Sequence, residues 1–313
     1  VTRLPTLLAS SVIRGTQLGE SHGGLYRVDL ERGVADLVLD WHSTEIDIGG
    51  RGGDRGLRGI AFHGQHILVA ANAELLLLDR SFAVVDSFKN PYLQHCHEIA
   101  VAGDLVLLTA TGVDSLLTLD LNQKRFVNGW HLQAHSGALH LIPFDPSKPN
   151  GPPPRHDFHI NSVTATSSAS SEATCMWFSG LYTPGLLYAD SRGLSLAAPL
   201  PPGTHNAQLW NGGVLYNDTA AERLCYAQNG AVTAFPVPDF DPASILNAQR
   251  FTSAVARPRF ARGLCALGDG LVAGGSSPST ISVYDLRRGR SVMRVNLSMD
   301  VRNAVHGLAV WPD

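Results

Sequence analysis

The 313-residue chain lacks most of the features that would make its function easy to read. No apolar run reaches the length of a membrane-spanning helix, and Val1 is followed by neither a basic flank nor an apolar signal core. The expectation is therefore a cytoplasmic protein, unless a leader has been trimmed, with no membrane partner. Charged residues make up only 16% of the chain. The 24 Lys and Arg against 27 Asp and Glu leave a net charge of −3, with no basic patch, which argues against a nucleic-acid partner. Cys96, Cys175, Cys225 and Cys265 form no CxxC motif and no framework spacing, so they read as reduced and mostly buried. No stretch of ten or more residues has helical amphipathic period, which excludes a helical or mixed fold.

What the chain has instead is a repeat. Six segments open alike: Arg58-Gly59-Ile60-Ala61, His97-Glu98-Ile99-Ala100, His159-Ile160-Asn161-Ser162, His205-Asn206-Ala207, Arg262-Gly263-Leu264-Cys265 and His306-Gly307-Leu308-Ala309. They recur about 40 to 60 residues apart, the period of a propeller or solenoid. After each opening come short runs of strand length separated by small polar turns. Ile67-Leu68-Val69-Ala70, Glu74 to Asp79 and Ala83 to Phe88 are the runs of one repeat. The third run closes on an aspartate at Asp29, Asp79, Asp120, Asp190 and Asp285.

Residues 306–311 form an innermost strand with nothing after it, and residues 7–41 form three outer strands with none before them. Pairing the two ends closes a ring and removes a sheet edge. The reading is all-β, a single six-bladed β-propeller over residues 1–313, with five blades as the rival count. The blades are 306–313 plus 7–41, then 58–90, 97–130, 159–197, 205–237 and 262–297. Composition agrees: 44% hydrophobic residues support a large core, and 31 Gly with 18 Pro fit many turns.

Two segments depart from the repeat. Residues 130–158 carry Lys148-Pro149-Asn150-Gly151-Pro152-Pro153-Pro154 and read as a long loop holding His131, His135, His140 and His156. The i, i+4 spacing of His131 and His135 suits a helical metal pair, but Gly137 and the prolines oppose a helix. Residues 236–259 read as a second excursion, and both are candidate lids. Gly49-Gly50-Arg51-Gly52-Gly53-Asp54 has no GK[ST] ending and reads as a connector.

In a propeller the opening strands line the central channel, so the six opening residues would converge on one axis. Adjacent blades would bring His97, His159 and His205 together, able to hold one divalent transition metal (Zn, Fe or Mn) with a position left open. His95 is the alternate ligand or a supporting partner, since residues two apart on an extended strand share a side. Arg58 and Arg262 would flank His306 opposite this group. The arginines would clamp an anion, His306 would carry a proton, and Asn161 and Asn206 would bind substrate by hydrogen bonding.

The R-G-I-A, H-E-I-A, R-G-L-C and H-G-L-A openings followed by G-x-L strands resemble those of six-bladed propellers. That group includes gluconolactonase-like hydrolases, strictosidine synthase-like proteins and the peptidyl-hydroxyglycine amidating lyase. The lactonase resemblance implies calcium held by Glu, Asn and Asp, of which Asn161 and Asn206 are present here. The amidating-lyase resemblance implies zinc held by histidines from separate blades with arginine nearby, the closer chemical match. The carotenoid-cleaving oxygenases, with histidine-bound iron, resemble the chain in chemistry but imply seven blades. Three functions follow from the residues. The first is a metal-dependent lyase or hydrolase acting on a small anionic metabolite by non-redox chemistry. The second is a histidine-ligated iron oxygenase, and the third a non-catalytic propeller that binds a ligand or protein.

Overall fold

In the computed structural model, residues 3–42, 56–167, 174–250, 252–253 and 255–312 are described. The glycine-rich connector at Gly49 to Asp54 lies outside them. The described residues form six antiparallel sheets and one short 3-10 helix, Pro242–Ser244. The fold is all-β, a six-bladed β-propeller. No helix among the described residues is long and apolar enough to cross a membrane.

Each sheet opens on one of the repeat segments. The opening strands are Asn303–Val310, Ile60–His63, Ile99–Ala102, Ile160–Ser167, Thr204–Trp210 and Arg262–Gly268. The recurrent aspartates have a local cause. Each ends or directly follows the third strand of its sheet, and its carboxylate accepts backbone N–H groups of the next turn. Arg32 N donates to Asp29 at 3.0 Å, Ser81 N to Asp79 at 2.8 Å, Gln123 N to Asp120 at 2.9 Å, Arg192 N to Asp190 at 2.8 Å and Arg287 N to Asp285 at 2.9 Å. An Asx turn pins the chain reversal into the solvent-facing outer strand.

The first sheet is built from both ends of the chain. Asn303–Val310 pairs antiparallel with Thr6–Ile13, which pairs with Gly24–Asp29 and then Val34–Asp40. The Ser10 hydroxyl accepts the Gly307 N–H at 2.8 Å and donates to the Arg58 carbonyl at 2.5 Å.

The chain divides into two compact units, Val1–Ile60 with Trp210–Asp313, and Ala61–Leu209. In the first, Leu7, Val28, Ala273, Val283, Val305 and Leu308 form one apolar cluster, and Leu215, Leu224, Phe235 and Tyr284 belong to another. In the second, Leu68, Leu75, Leu93, Val106 and Leu117 pack between the second and third sheets. Leu107, Leu116, Ile160, Phe178 and Leu187 pack between the third and fourth. All four cysteines are without a disulfide, and Cys96, Cys225 and Cys265 are buried. Burial pushes the Cys265 thiol up to about 12, so it stays protonated near neutral pH.

One departure from the sequence reading is large. Residues 130–144 are not loop: Arg125–His135 runs on as a strand and turns back as Ala138–Phe144, a fifth strand found in this sheet alone among the described ones. Ser136 and Gly137 both have positive φ, 51° and 79°, the two-residue turn that suits a tight hairpin. The prolines that argued against a strand begin only at Pro143 and cluster after Asp145, where the loop does start. His131 and His135 therefore sit on a strand, not a helix. His131 Nδ1 faces the Val113 carbonyl at 3.0 Å, and the His135 and His140 rings lie 6.4 Å apart across the hairpin.

Candidate functional site

Three of the opening histidines come together in the unit Ala61–Leu209. The ring centres of His97 and His159 are 5.2 Å apart and those of His159 and His205 are 6.3 Å apart. His205 is buried, and His97 and His159 are half-buried. The His97 and His205 rings are oriented by backbone carbonyls. His97 Nδ1 lies 2.7 Å from the His95 carbonyl and 2.9 Å from the Thr111 hydroxyl, while that hydroxyl donates to the Ile160 carbonyl. A carbonyl only accepts, so Nδ1 carries a proton, and in the neutral form of the ring Nε2 is the basic atom. His205 Nδ1 faces the Gly203 carbonyl at 3.2 Å and is assigned the same tautomer.

His159 is placed through its main chain. Its φ is +52°, outside the strand that begins at Ile160. The Asp114 carboxylate holds this bend by accepting the N–H groups of Asp157, Phe158 and His159 at 2.6, 3.2 and 2.7 Å. Burial raises the Asp114 pKa, and these three bonds only partly offset it.

Two residues absent from the sequence reading thus belong to the site, Asp114 and Thr111. Glu98, quoted there without a role, belongs as well: its Oε1 accepts the Asn206 side-chain amide at 2.5 Å. Glu98 stands in the quoted H-E-I-A opening, so a carboxylate beside a channel histidine was its available signal. Asp114 had none, because its partners lie more than 40 residues downstream in the sequence. Asn161 is buried and donates to the Thr204 carbonyl at 2.9 Å, tying the openings of the fourth and fifth sheets together.

His95 is not on an extended strand. Its φ of +54° breaks the alternation that would have set it beside His97, and its ring lies 6.2 Å from that of His156. It supports His97 through its carbonyl.

Arg58, Arg262 and His306 belong to the other unit, and all three are buried. The Gly307 α-carbon faces the Arg58 carbonyl, and that of Gly263 faces the His306 carbonyl. The openings of the second and sixth blades thus flank that of the first. The Arg262 guanidinium stacks over Phe260 at 4.6 Å, and Arg14 and Arg257 approach the same ring at 4.4 and 5.1 Å.

A tetrahedral zinc holds imidazole nitrogens at about 2.0 to 2.1 Å, which puts the centres of two shared rings roughly 5 Å apart. The His97–His159 spacing suits that and the His159–His205 spacing is wider. Among the described residues, no group of three His, Cys, Asp or Glu side chains is gathered closely enough to hold a metal ion.

No family model matches the sequence, and no curated protein does. Solved structures do. The chain is similar to one in the crystal structure of a nidogen/laminin complex, with a TM-score of 0.58 and 10% identity over 97% of both chains. This likeness extends to the fold and no further. Virginiamycin B lyase from Staphylococcus aureus is more remote, with a TM-score of 0.42 and 11% identity over 81% of this chain and 74% of that one. At such a distance it adds nothing to the fold assignment.

Proposed function

We propose that this chain is a metal-dependent enzyme of lyase or hydrolase type, working by non-redox chemistry on a small anionic metabolite. Its ligands would be the Nε2 atoms of His97, His159 and His205. The supporting observation is the carbonyl bond at the Nδ1 of His97 and of His205, which leaves Nε2 as the basic atom in both rings. A metal-bound histidine is held in this way, its second nitrogen fixed by a backbone carbonyl. Binding an ion would draw the His205 ring about 1 Å closer to His159, within the reach of small side-chain rotations.

A divalent ion bound there would supply a polarised oxygen or an acidified water. The chain's own residues have separate tasks. Asp114 and Thr111 keep the His159 bend and the His97 ring in place, so that little reorganisation accompanies binding. Glu98, fixed by Asn206, is a carboxylate able to take up a proton beside the imidazoles. Arg58 and Arg262 supply the charge from which an anionic substrate is read, and His306 an imidazole able to carry a proton, all three within the unit Val1–Ile60 with Trp210–Asp313.

Elemental analysis of protein purified without added metal tests the proposal. The expected result is about one zinc or manganese per chain, lost in the His97→Ala, His159→Ala and His205→Ala variants with the fold retained. Iron would favour an oxygenase instead. Wild-type protein free of metal after incubation with zinc, manganese or iron would leave the histidines as packing residues of a binding propeller.

A further inference from the structure

The fifth strand of the third sheet forms one wall of a cavity. Ala138–Phe144 walls a cavity of about 570 Å³ between the third and fourth sheets, within the unit Ala61–Leu209. The opposite wall comes from Met176, Ala189 and Leu194. Leu105, Leu107 and Trp130 complete the apolar lining. The volume falls in the range of small-molecule sites, about 300 to 1,000 Å³, which are mostly apolar with a few placed polar groups.

Charge decides the chemistry of the occupant. The lining contains no lysine or arginine, so no permanent cation in it offsets the desolvation of a carboxylate or phosphate. Its one carboxylate, Asp190, is already engaged: Arg192 donates through Nη2 at 2.8 Å and Nε at 3.0 Å, and the Tyr188 hydroxyl donates at 3.0 Å. A cationic ligand would have to displace Arg192. Thr118, Asn128, His140 and Ser191 remain as hydrogen-bonding groups at the wall.

Trp130 offers a flat aromatic surface and Met176 an adaptable one. We infer that this cavity binds an uncharged small molecule with an apolar body and hydrogen-bonding groups along one edge, independently of the histidine cluster. An anionic amphiphile meets no lysine or arginine in this lining.

The test uses the whole chain and the uncharged fluorophore N-phenyl-1-naphthylamine, titrated by fluorescence. Saturable binding at one probe per chain is expected. Ile142→Arg, at an exposed position on the cavity wall, should weaken it at least tenfold without lowering Tm, and Leu194→Arg, at a half-buried position packed against the core, should weaken it at least tenfold. Leu194→Met should bind as the wild type does. The inference is overturned by an absence of saturable binding, or by wild-type affinity in Ile142→Arg. Tighter binding of the anionic probe 8-anilinonaphthalene-1-sulfonate would overturn the uncharged assignment. Displacement of the probe by an extended apolar peptide and not by uncharged small molecules would reassign the cavity to a pairing strand.

Discussion

Removing the strand Asn303–Val310 takes away the partner of Thr6–Ile13 and opens the first sheet. Val305 is 0% exposed and Leu308 7%, and both belong to the apolar cluster shared with Leu7, Val28 and Val283. Burying two such side chains contributes roughly 1.5 to 3 kcal/mol each, so their loss alone costs about 3 to 6 kcal/mol. The seven register positions from Leu7↔Val310 to Ile13↔Asn303 lose their partner as well, leaving the buried face around Leu8, Ala9 and Ser10 beside water. Against a total stability of about 5 to 15 kcal/mol, truncation after Arg302 should leave little or no folded protein at 37 °C. A graded version is Leu308→Ala, expected to cost about 2 to 5 kcal/mol. At roughly 2 °C per kcal/mol for a chain of this size, Tm should fall by about 4 to 10 °C. Val292→Ala, 41% exposed on an outer strand, is the control and should shift Tm by no more than about 1 °C. Thermal unfolding followed by circular dichroism measures all three. Adding a synthetic peptide of residues 303–313 should recover folded protein in proportion to its concentration. A truncated chain that melts at the wild-type temperature would refute closure as a source of stability.

Other expectations follow from single contacts. Ser10→Ala removes the hydroxyl shared by the Gly307 N–H and the Arg58 carbonyl, and should destabilise by about 1 to 3 kcal/mol in urea titration. Asp114→Asn replaces an acceptor facing three N–H groups with an amide that can also donate. It should lower both Tm and zinc uptake, whereas Asp157→Asn, at an exposed carboxylate, should change neither. For Asp300, burial raises the pKa, but the side-chain and backbone bonds from Arg302 and the Asn247 amide together outweigh it and hold the carboxyl below its usual range. Its contribution is therefore complete above the unfolded pKa, about 3.9, and is lost as pH falls through the lower folded value. Arg302→Ala should be less stable than wild type at pH 7, and the difference should narrow below about pH 4.

The openings, the strand runs and the turn aspartates were legible in the sequence because each is a local device. A carboxylate two or three residues from the N–H it accepts, and a small polar break after a strand-length run, leave their mark within a few positions. The period of the openings then implied the sheet order and the pairing of the chain ends, since an unpaired edge strand has few other ways to be satisfied. The fifth strand was hidden by prolines that, apart from Pro143 near its end, lie just beyond it, a boundary that composition over a window blurs. The partners of the site were hidden for a different reason. Asp114 grips the His159 bend across 45 residues, and Glu98 meets Asn206 across 108. His95 lost its expected place to a single left-handed φ. Contacts of that range depend on which sheet packs against which and on backbone angles at a few bends. Local sequence pattern therefore determined the blades and nominated the histidines, whereas only the tertiary structure decided which nitrogen each of His97 and His205 presents and which carboxylate holds His159 in place.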